Sequence, residues 1–188
     1  MRALRGAFVE AVQSEDFTRF KFVDEAGVNL TYTRRYGRAA GGDRVRQGVP
    51  LHGGPNVTVV GALSVHGLQA VMTLDGALNQ DSFAAYLDQV LGPTLVPGDV
   101  VVLDNLRVHK VAGMRERIEA RGARVLFLPP YSPDFSPIEN GWSKFKTWLR
   151  TVQARTRQAL DEAVATALEW ITAEDAQNWF AHCGYPVH

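Results

Sequence analysis

Four consecutive apolar residues, Val100 to Leu103, close on Asp104 and Asn105. A run of strand length without polar alternation has to be covered on both faces, so helices must lie on either side of the sheet it belongs to. In open α/β sheets ligands gather at the carboxyl ends of such strands, which is where Asp104 stands. Downstream comes PPYSPDFSPIENGWSKFK at 129–146, in which Pro129, Pro130, Pro133 and Pro137, with Tyr131 and Phe135, restrict the path of a loop. A loop so restricted loses little entropy in holding a position, and it delivers Glu139 to the first turn of the next helix.

Local grammar alone gives these residues a second reading. Ser136 suits a helix N-cap, Pro137 the first helical position, and Glu139 the reciprocal partner of a capping box. Asp104-Asn105 suits an ordinary turn opener after a strand.

A chain of 188 residues with a formal net charge of +0 is expected to be one globular domain over 1–188, with room for a real core. Its single cysteine, Cys183, rules out an internal disulfide or a cysteine-based zinc site. No apolar run reaches membrane-spanning length and no signal peptide is evident, so the cytoplasm is the expected compartment and no membrane is involved. Charge is nevertheless uneven. Arg34, Arg35, Arg38, Arg44 and Arg46 fall in one glycine-rich segment, and Lys144, Lys146, Arg150, Arg155 and Arg157 follow Glu139. Solvated faces would account for both runs, but they flank the acids and are candidate phosphate contacts.

Periodicity organises the rest. Leu4, Phe8, Val9 and Val12 mark one side of a short helix over 3–13. Residues 17–27 and 28–35 read as paired strands, the first ending at Asp24 and a turn, and 36–55 as a mobile loop. Strands over 56–65 and 68–74 meet in a hairpin at His66 and Gly67. Phe83, Tyr86, Leu87 and Val90 form a helical stripe started by Asn79 or Asp81. A helix over 110–121, with Val111, Met114 and Ile118 inward, stops at Gly122 before a strand over 124–128. Ile138, Trp142, Phe145, Leu149 and Val152 form a further stripe, and Leu160, Val164, Ala167, Leu168 and Ile171 the last. Trp148 lies off its stripe, suited to packing on the last helices or to stacking on a base. Glu25 points to the face of its strand opposite Asp24 and is set aside.

The order of three strands, helix, strand, helix, strand, helix resembles the ribonuclease H fold, an α/β arrangement with a mixed five-stranded sheet flanked by helices. In that fold the first and fourth strands are parallel neighbours, which would set Asp24 beside Asp104. The motifs FVDEAG at 22–27, VVLDNLRVHK at 101–110 and LPPYSPDFSPIENGWSKFK at 128–146 resemble the catalytic core of mariner-like DDE transposases, most closely the bacterial insertion sequence 630 family. The 34 residues between Asp104 and Glu139 match the spacing of that branch. The resemblance implies a catalytic and metal-binding triad of Asp24, Asp104 and Glu139, holding two Mg2+ ions for which Mn2+ can substitute. His109 matches a histidine that the family commonly carries at this place, either a phosphate contact or a surface residue. DNA contacts are further expected from Arg34, Arg35, Arg38, Arg44, Arg46, Lys144 and Lys146.

The implied activity is cleavage of phosphodiesters at transposon ends and strand transfer into target DNA, by a homodimer in the DNA complex. A hydrolytic nuclease of the same fold and an inactive DNA-binding remnant of a mobile element are the alternatives. A tyrosine recombinase built on Tyr185 would leave the acids without a purpose. Family members usually carry helix-turn-helix modules before the core, whereas here the first acid arrives at Asp24. End recognition is therefore expected from a separately encoded helix-turn-helix protein, or the element is truncated.

Overall fold

The computed structural model describes residues 2–54, 56–110 and 112–187. Helix α1 (Arg2–Val12) leads through a turn at Phe17–Arg19, capped by the Asp16 side chain, into strand β1 (Phe20–Val28). Strands β2 (Val57–Ser64) and β3 (Gly67–Asp75) follow as a hairpin, then α2 (Gln80–Tyr86), β4 (Val100–Leu103), α3 (Met114–Glu119) and β5 (Arg124–Phe127). Helices α4 (Pro137–Val152), α5 (Arg157–Trp170) and α6 (Ala173–His182) complete the chain. The strands form one mixed five-stranded sheet in the order β3-β2-β1-β4-β5, with β1 antiparallel to β2 and β4 parallel to both β1 and β5.

Alternation along β1 divides the core. Phe20, Phe22, Ala26 and Val28 face α1, α4, α5 and α6, whereas Val23 joins the layer beneath α2 and α3. All four residues of β4 are buried, as an uninterrupted apolar run demands. The register Val23↔Leu103 brings Asp24 and Asp104 next to each other on strands that in sheets lie about 4.8 Å apart, at the carboxyl end of β4; β1 does not end at Asp24 but runs on to Val28 along β2.

Several local expectations give way to particular side chains. Residues 28–35 are not a second strand: β1 ends at Val28, and the Asn29 side chain then accepts from the Thr31 N–H at 3.0 Å, a local turn that competes with sheet pairing. The partner of β1 is β2 instead. The hairpin turns at Val65 and His66, one residue earlier than read, with Ser64 paired to Gly67. In α1 only Phe8 and Val12 are buried, and Leu4 and Val9 face solvent. The Asn79 cap forms a capping box with Ser82, and α2 runs on into a π-helical turn at Leu87–Leu91, which buries Leu91 fully and leaves Val90 partly buried against the same core.

The helix read over 110–121 is shorter. A 3-10 turn spans Arg107–Lys110, Gly113 adopts φ 74°, and α3 starts only at Met114; Val111 lies outside the described residues. Met114 and Ile118 are buried, and Gly122, at φ 74°, ends the segment as read. On α4 the stripe Ile138, Trp142, Phe145 and Leu149 is buried, while Val152 emerges 39% exposed. Trp148 packs on α5: its Nε1 donates to the Ala163 carbonyl at 3.0 Å and its ring lies 5.3 Å from that of Trp170. No helix among the described residues is long and apolar enough to cross a membrane.

The proline loop before α4 is held from behind. Phe8 stacks on Phe135 with ring centroids 5.5 Å apart, Arg5 lies 4.2 Å over the same ring and bonds Asp134, and the Tyr185 hydroxyl donates to the Phe135 carbonyl at 2.8 Å. The loop that carries Glu139 is therefore pinned by both ends of the chain. Tyr185 is itself buried, as a piece of this brace.

Candidate active site

Asp24, Asp104 and Glu139 line one cleft of ≈ 400 Å³ where β4 ends beside the middle of β1, walled by Pro129, Pro130, Tyr131, Ser132 and Pro133. Asp24 sits at its foot. Its Oδ2 accepts from Trp142 Nε1 at 3.1 Å, so one tryptophan of the α4 stripe is both core and site. Gly61, opposite Asp24 in the β1–β2 register, makes room for close packing, since a Cβ there would meet Val71 at 3.1 Å, Leu68 at 3.2 Å and the Trp142 ring at 3.3 Å.

Glu139 is exposed in the first turn of α4. The capping-box reading does not hold, because the Ser136 side chain makes no cap hydrogen bond. Glu139 is thus not tied into the helix start by a reciprocal cap. On the opposite wall, Asp104 Oδ1 accepts from the Leu106 N–H at 2.9 Å and lies 2.6 Å from His109 Nδ1. Tyr131, on the rim, is 86% exposed and holds φ 55°, a left-handed conformation costly for a residue with a Cβ.

Burial and like charge together set the electrostatics of Asp24. Burial, then the charge of Glu25, and then those of Glu139 and Asp104 push the Asp24 carboxyl up to about 7 against an opposing backbone hydrogen bond from Glu25. Among the described residues no three His, Cys, Asp or Glu side chains are drawn into a ready-made metal ligand set. The oxygens of Asp24, Asp104 and Glu139 form an all-carboxylate donor set facing one space, which fits a hard divalent cation such as Mg2+ or Mn2+ rather than a thiolate- or imidazole-seeking metal.

His109 corrects two expectations. It is fully buried rather than a surface residue, and it does not face DNA: its ring sits 4.8 Å from Phe83, with Nδ1 on Asp104 and Nε2 3.0 Å from Glu25 Oε2. Both nitrogens face carboxylate oxygens, which calls for two N–H donors. Burial alone would lower its pKa, but the hydrogen bonds to Asp104 and Glu25 prevail and raise it to about 9. Glu25 does point away from Asp24, as alternation requires, and on that face it meets His109. Sequence reasoning therefore missed Glu25, although a histidine five residues after Asp104, beside a neighbouring parallel strand, was a signal for it.

Lys144 is also reassigned. It bonds Asp175 of α6 and lies 4.8 Å over the Trp170 ring, so it ties helices together instead of facing DNA. Lys146, half-buried, stands about two turns beyond Glu139 and on the same face of α4. Arg34, Arg35, Arg38, Arg44 and Arg46 are all exposed on the β1–β2 connection. The root of that connection is fastened to the end of α4 and the link that follows it: Arg155, between α4 and α5, donates to the Leu30 and Tyr32 carbonyls at 3.0 and 2.9 Å, and Arg150 of α4 lies 5.2 Å over Tyr32.

Solved structures share this architecture. The chain is similar to the Mos1 transposase paired-end complex with left transposon end, at TM-score 0.75 and 12% identity over 96% of this chain and 57% of that one. It is similar to the Mos1 mariner paired-end complex with Mn at TM-score 0.74 and 15% identity, over 98% and 58%. The Mos1 transposase catalytic domain with raltegravir and Mg matches at TM-score 0.69 and 13% identity, over 98% of this chain and 87% of that one. The chain thus spans a little over half the length of the longer Mos1 chains and most of the catalytic domain. At such identities the likeness establishes the fold, which is ribonuclease H-like. No curated protein sequence matches the chain. A family described as DDE superfamily endonuclease matches residues 19–161, the span that contains all three cleft acids, and the chain belongs to that family.

Proposed function

We propose that this chain is the catalytic core of a mariner-like DNA transposase of the insertion sequence 630 type, which cuts phosphodiesters at transposon ends and joins them to target DNA. The observation that carries this reading is the convergence of Asp24, Asp104 and Glu139 on one cleft, with Glu139 delivered by a braced proline loop. Asp24 and Asp104 would hold two divalent cations between them, and Glu139 would complete one site. When bound, such ions activate an oxygen nucleophile and stabilise the leaving oxygen of a phosphodiester.

The residues of the chain itself do the rest. Trp142 holds Asp24 in place through Oδ2, and the Leu106 N–H and His109 hold Asp104 through Oδ1. The exposed arginines of the β1–β2 connection and Lys146 would track the phosphate backbone, positioning DNA without reading its sequence. The single domain over 1–188 would act in the cytoplasm, as a homodimer on DNA, with end recognition supplied by a separately encoded helix-turn-helix protein. The Mos1 structures with transposon ends, Mg and Mn support the choice of DNA and cation.

The test is incubation of the chain with supercoiled plasmid and a labelled duplex bearing a free 3′ hydroxyl. Mg2+-dependent nicking, and transfer of the duplex into the plasmid, are expected, both lost on chelation. Nicking without transfer points to the hydrolytic nuclease. Binding is expected to show little sequence preference and to weaken steeply between about 50 and about 200 mM salt. Cutting that survives chelation, or salt-resistant binding to one short sequence, contradicts the proposal.

A further inference from the structure

Glu25 is not among the residues that line the cleft, yet it reaches a cleft acid through one intermediary. On the face of β1 away from Asp24, its Oε2 lies 3.0 Å from His109 Nε2, and His109 Nδ1 lies 2.6 Å from Asp104 Oδ1. The imidazole has no freedom to act otherwise. It is 0% exposed and packs on Phe83, itself 0% exposed. Asp104 also accepts from the Leu106 N–H, so Oδ1 is held by two groups at once. A buried histidine that served packing alone would be satisfied by a backbone carbonyl; here both partners are carboxylates, and one of them is a cleft acid.

We infer that Glu25 is a positioning residue: acting through His109, it fixes the Asp104 carboxylate relative to Asp24, so that the two acids present a divalent cation with a constant separation. The geometry explains how. Asp24 and Glu25 are successive residues of one strand on opposite faces, and β1 already pairs with β4 at Val23↔Leu103. The Glu25–His109–Asp104 link adds a side-chain tie between the same two strands, beyond the last backbone pair and where Asp104 leaves the sheet. Partners that orient metal-binding side chains in this way typically change metal affinity or activity by about 10–100-fold when removed. The inference rests on the metal-dependent reading of the cleft proposed above.

The test compares Glu25→Ala, Glu25→Gln and Glu25→Asp with the unaltered chain. Mn2+ affinity is measured directly by electron paramagnetic resonance, Mg2+ dependence by plasmid nicking, and folding by thermal melts. Glu25→Ala is expected to weaken Mn2+ binding about 10–100-fold and to raise the Mg2+ concentration for half-maximal nicking in parallel. Glu25→Gln keeps an oxygen that accepts from His109 and is expected to recover most of the affinity. Glu25→Asp keeps the charge but loses the reach, and is expected to resemble Glu25→Ala. This pattern remains readable in the glutamine and aspartate variants if the alanine variant fails to fold. The reverse pattern, aspartate like the unaltered chain and glutamine weak, would show that Glu25 acts by its charge and overturn the positioning role. So would a folded Glu25→Ala with unchanged affinity. If the unaltered chain binds no Mn2+, the proposed function falls, and this inference with it; if it binds and cuts while Glu25→Ala is indistinguishable, the inference falls alone.

Discussion

Glu139→Gln is expected to lower DNA cleavage and strand joining at least about a thousandfold, some 4 kcal/mol on the barrier, while the chain stays folded. An amide has the size of the carboxylate but lacks the charge a hard cation requires. The helix start does not depend on the residue. Pro137 occupies the first turn of α4, Ser136 makes no side-chain cap bond, and Glu139 is exposed, so stability is expected to change by no more than about 1 kcal/mol. Asp24→Asn and Asp104→Asn are expected to lose as much activity, since each removes one anchor of the same cluster. A gel assay of plasmid nicking in Mg2+, paired with circular dichroism, reads both quantities. Glutamine cutting at the unaltered rate would make Glu139 a bystander.

Asp24→Asn carries a second and opposite expectation, a gain in stability without metal. The Asp24 carboxyl is raised from 3.8 to about 7, so the folded chain binds this proton more tightly than the unfolded chain does. Its contribution to stability is complete below about pH 4 and is lost as pH rises through 7, a difference on the order of 4 kcal/mol. His109 acts in the same direction. Its pKa is raised from 6.5 to about 9, so stability present below 6.5 is lost as pH rises through 9. The metal-free protein should therefore weaken steadily toward alkaline pH.

Asparagine removes the Asp24 part while its carbonyl oxygen can still accept from Trp142. With chelator at about pH 8, Asp24→Asn is expected to melt several degrees above the unaltered chain, and at about pH 4 the two should converge. Added Mg2+ should stabilise the unaltered chain more than the variant. Scanning calorimetry at both pH values measures this. A variant less stable at about pH 8 would mean that the Asp24 charge is not held against burial and like charge.

The meeting of Asp24, Asp104 and Glu139 in one cleft was legible because its signals are local or follow from a single pairing. Asp104 and Glu139 lie in contiguous motifs, and Asp24 needs only β1 beside β4. The Glu25–His109 link had its signal in the histidine five residues after Asp104, but closing it needs the pairing of β1 on β4 and a 3-10 turn at Arg107–Lys110, ahead of the helix read over 110–121. Gly113, with φ 74°, broke that helix, and Asn29 ended β1 through a side-chain turn that β-propensity ignores. The π turn at Leu87–Leu91 adds Leu91 to the core beside Val90, which a 3.6-residue period does not anticipate. Lys144 belongs to a basic run in sequence, but its partner Asp175 lies two helices later, so only tertiary packing shows that it is engaged in an ion pair.

Anomalous scattering from Mn2+-soaked crystals of the chain tests the central claim most directly. Cation peaks are expected in the cleft, with Asp24 and Asp104 oxygens as ligands and Glu139 completing one site. A chain that binds Mn2+ elsewhere and leaves these three carboxylates without an ion would contradict it.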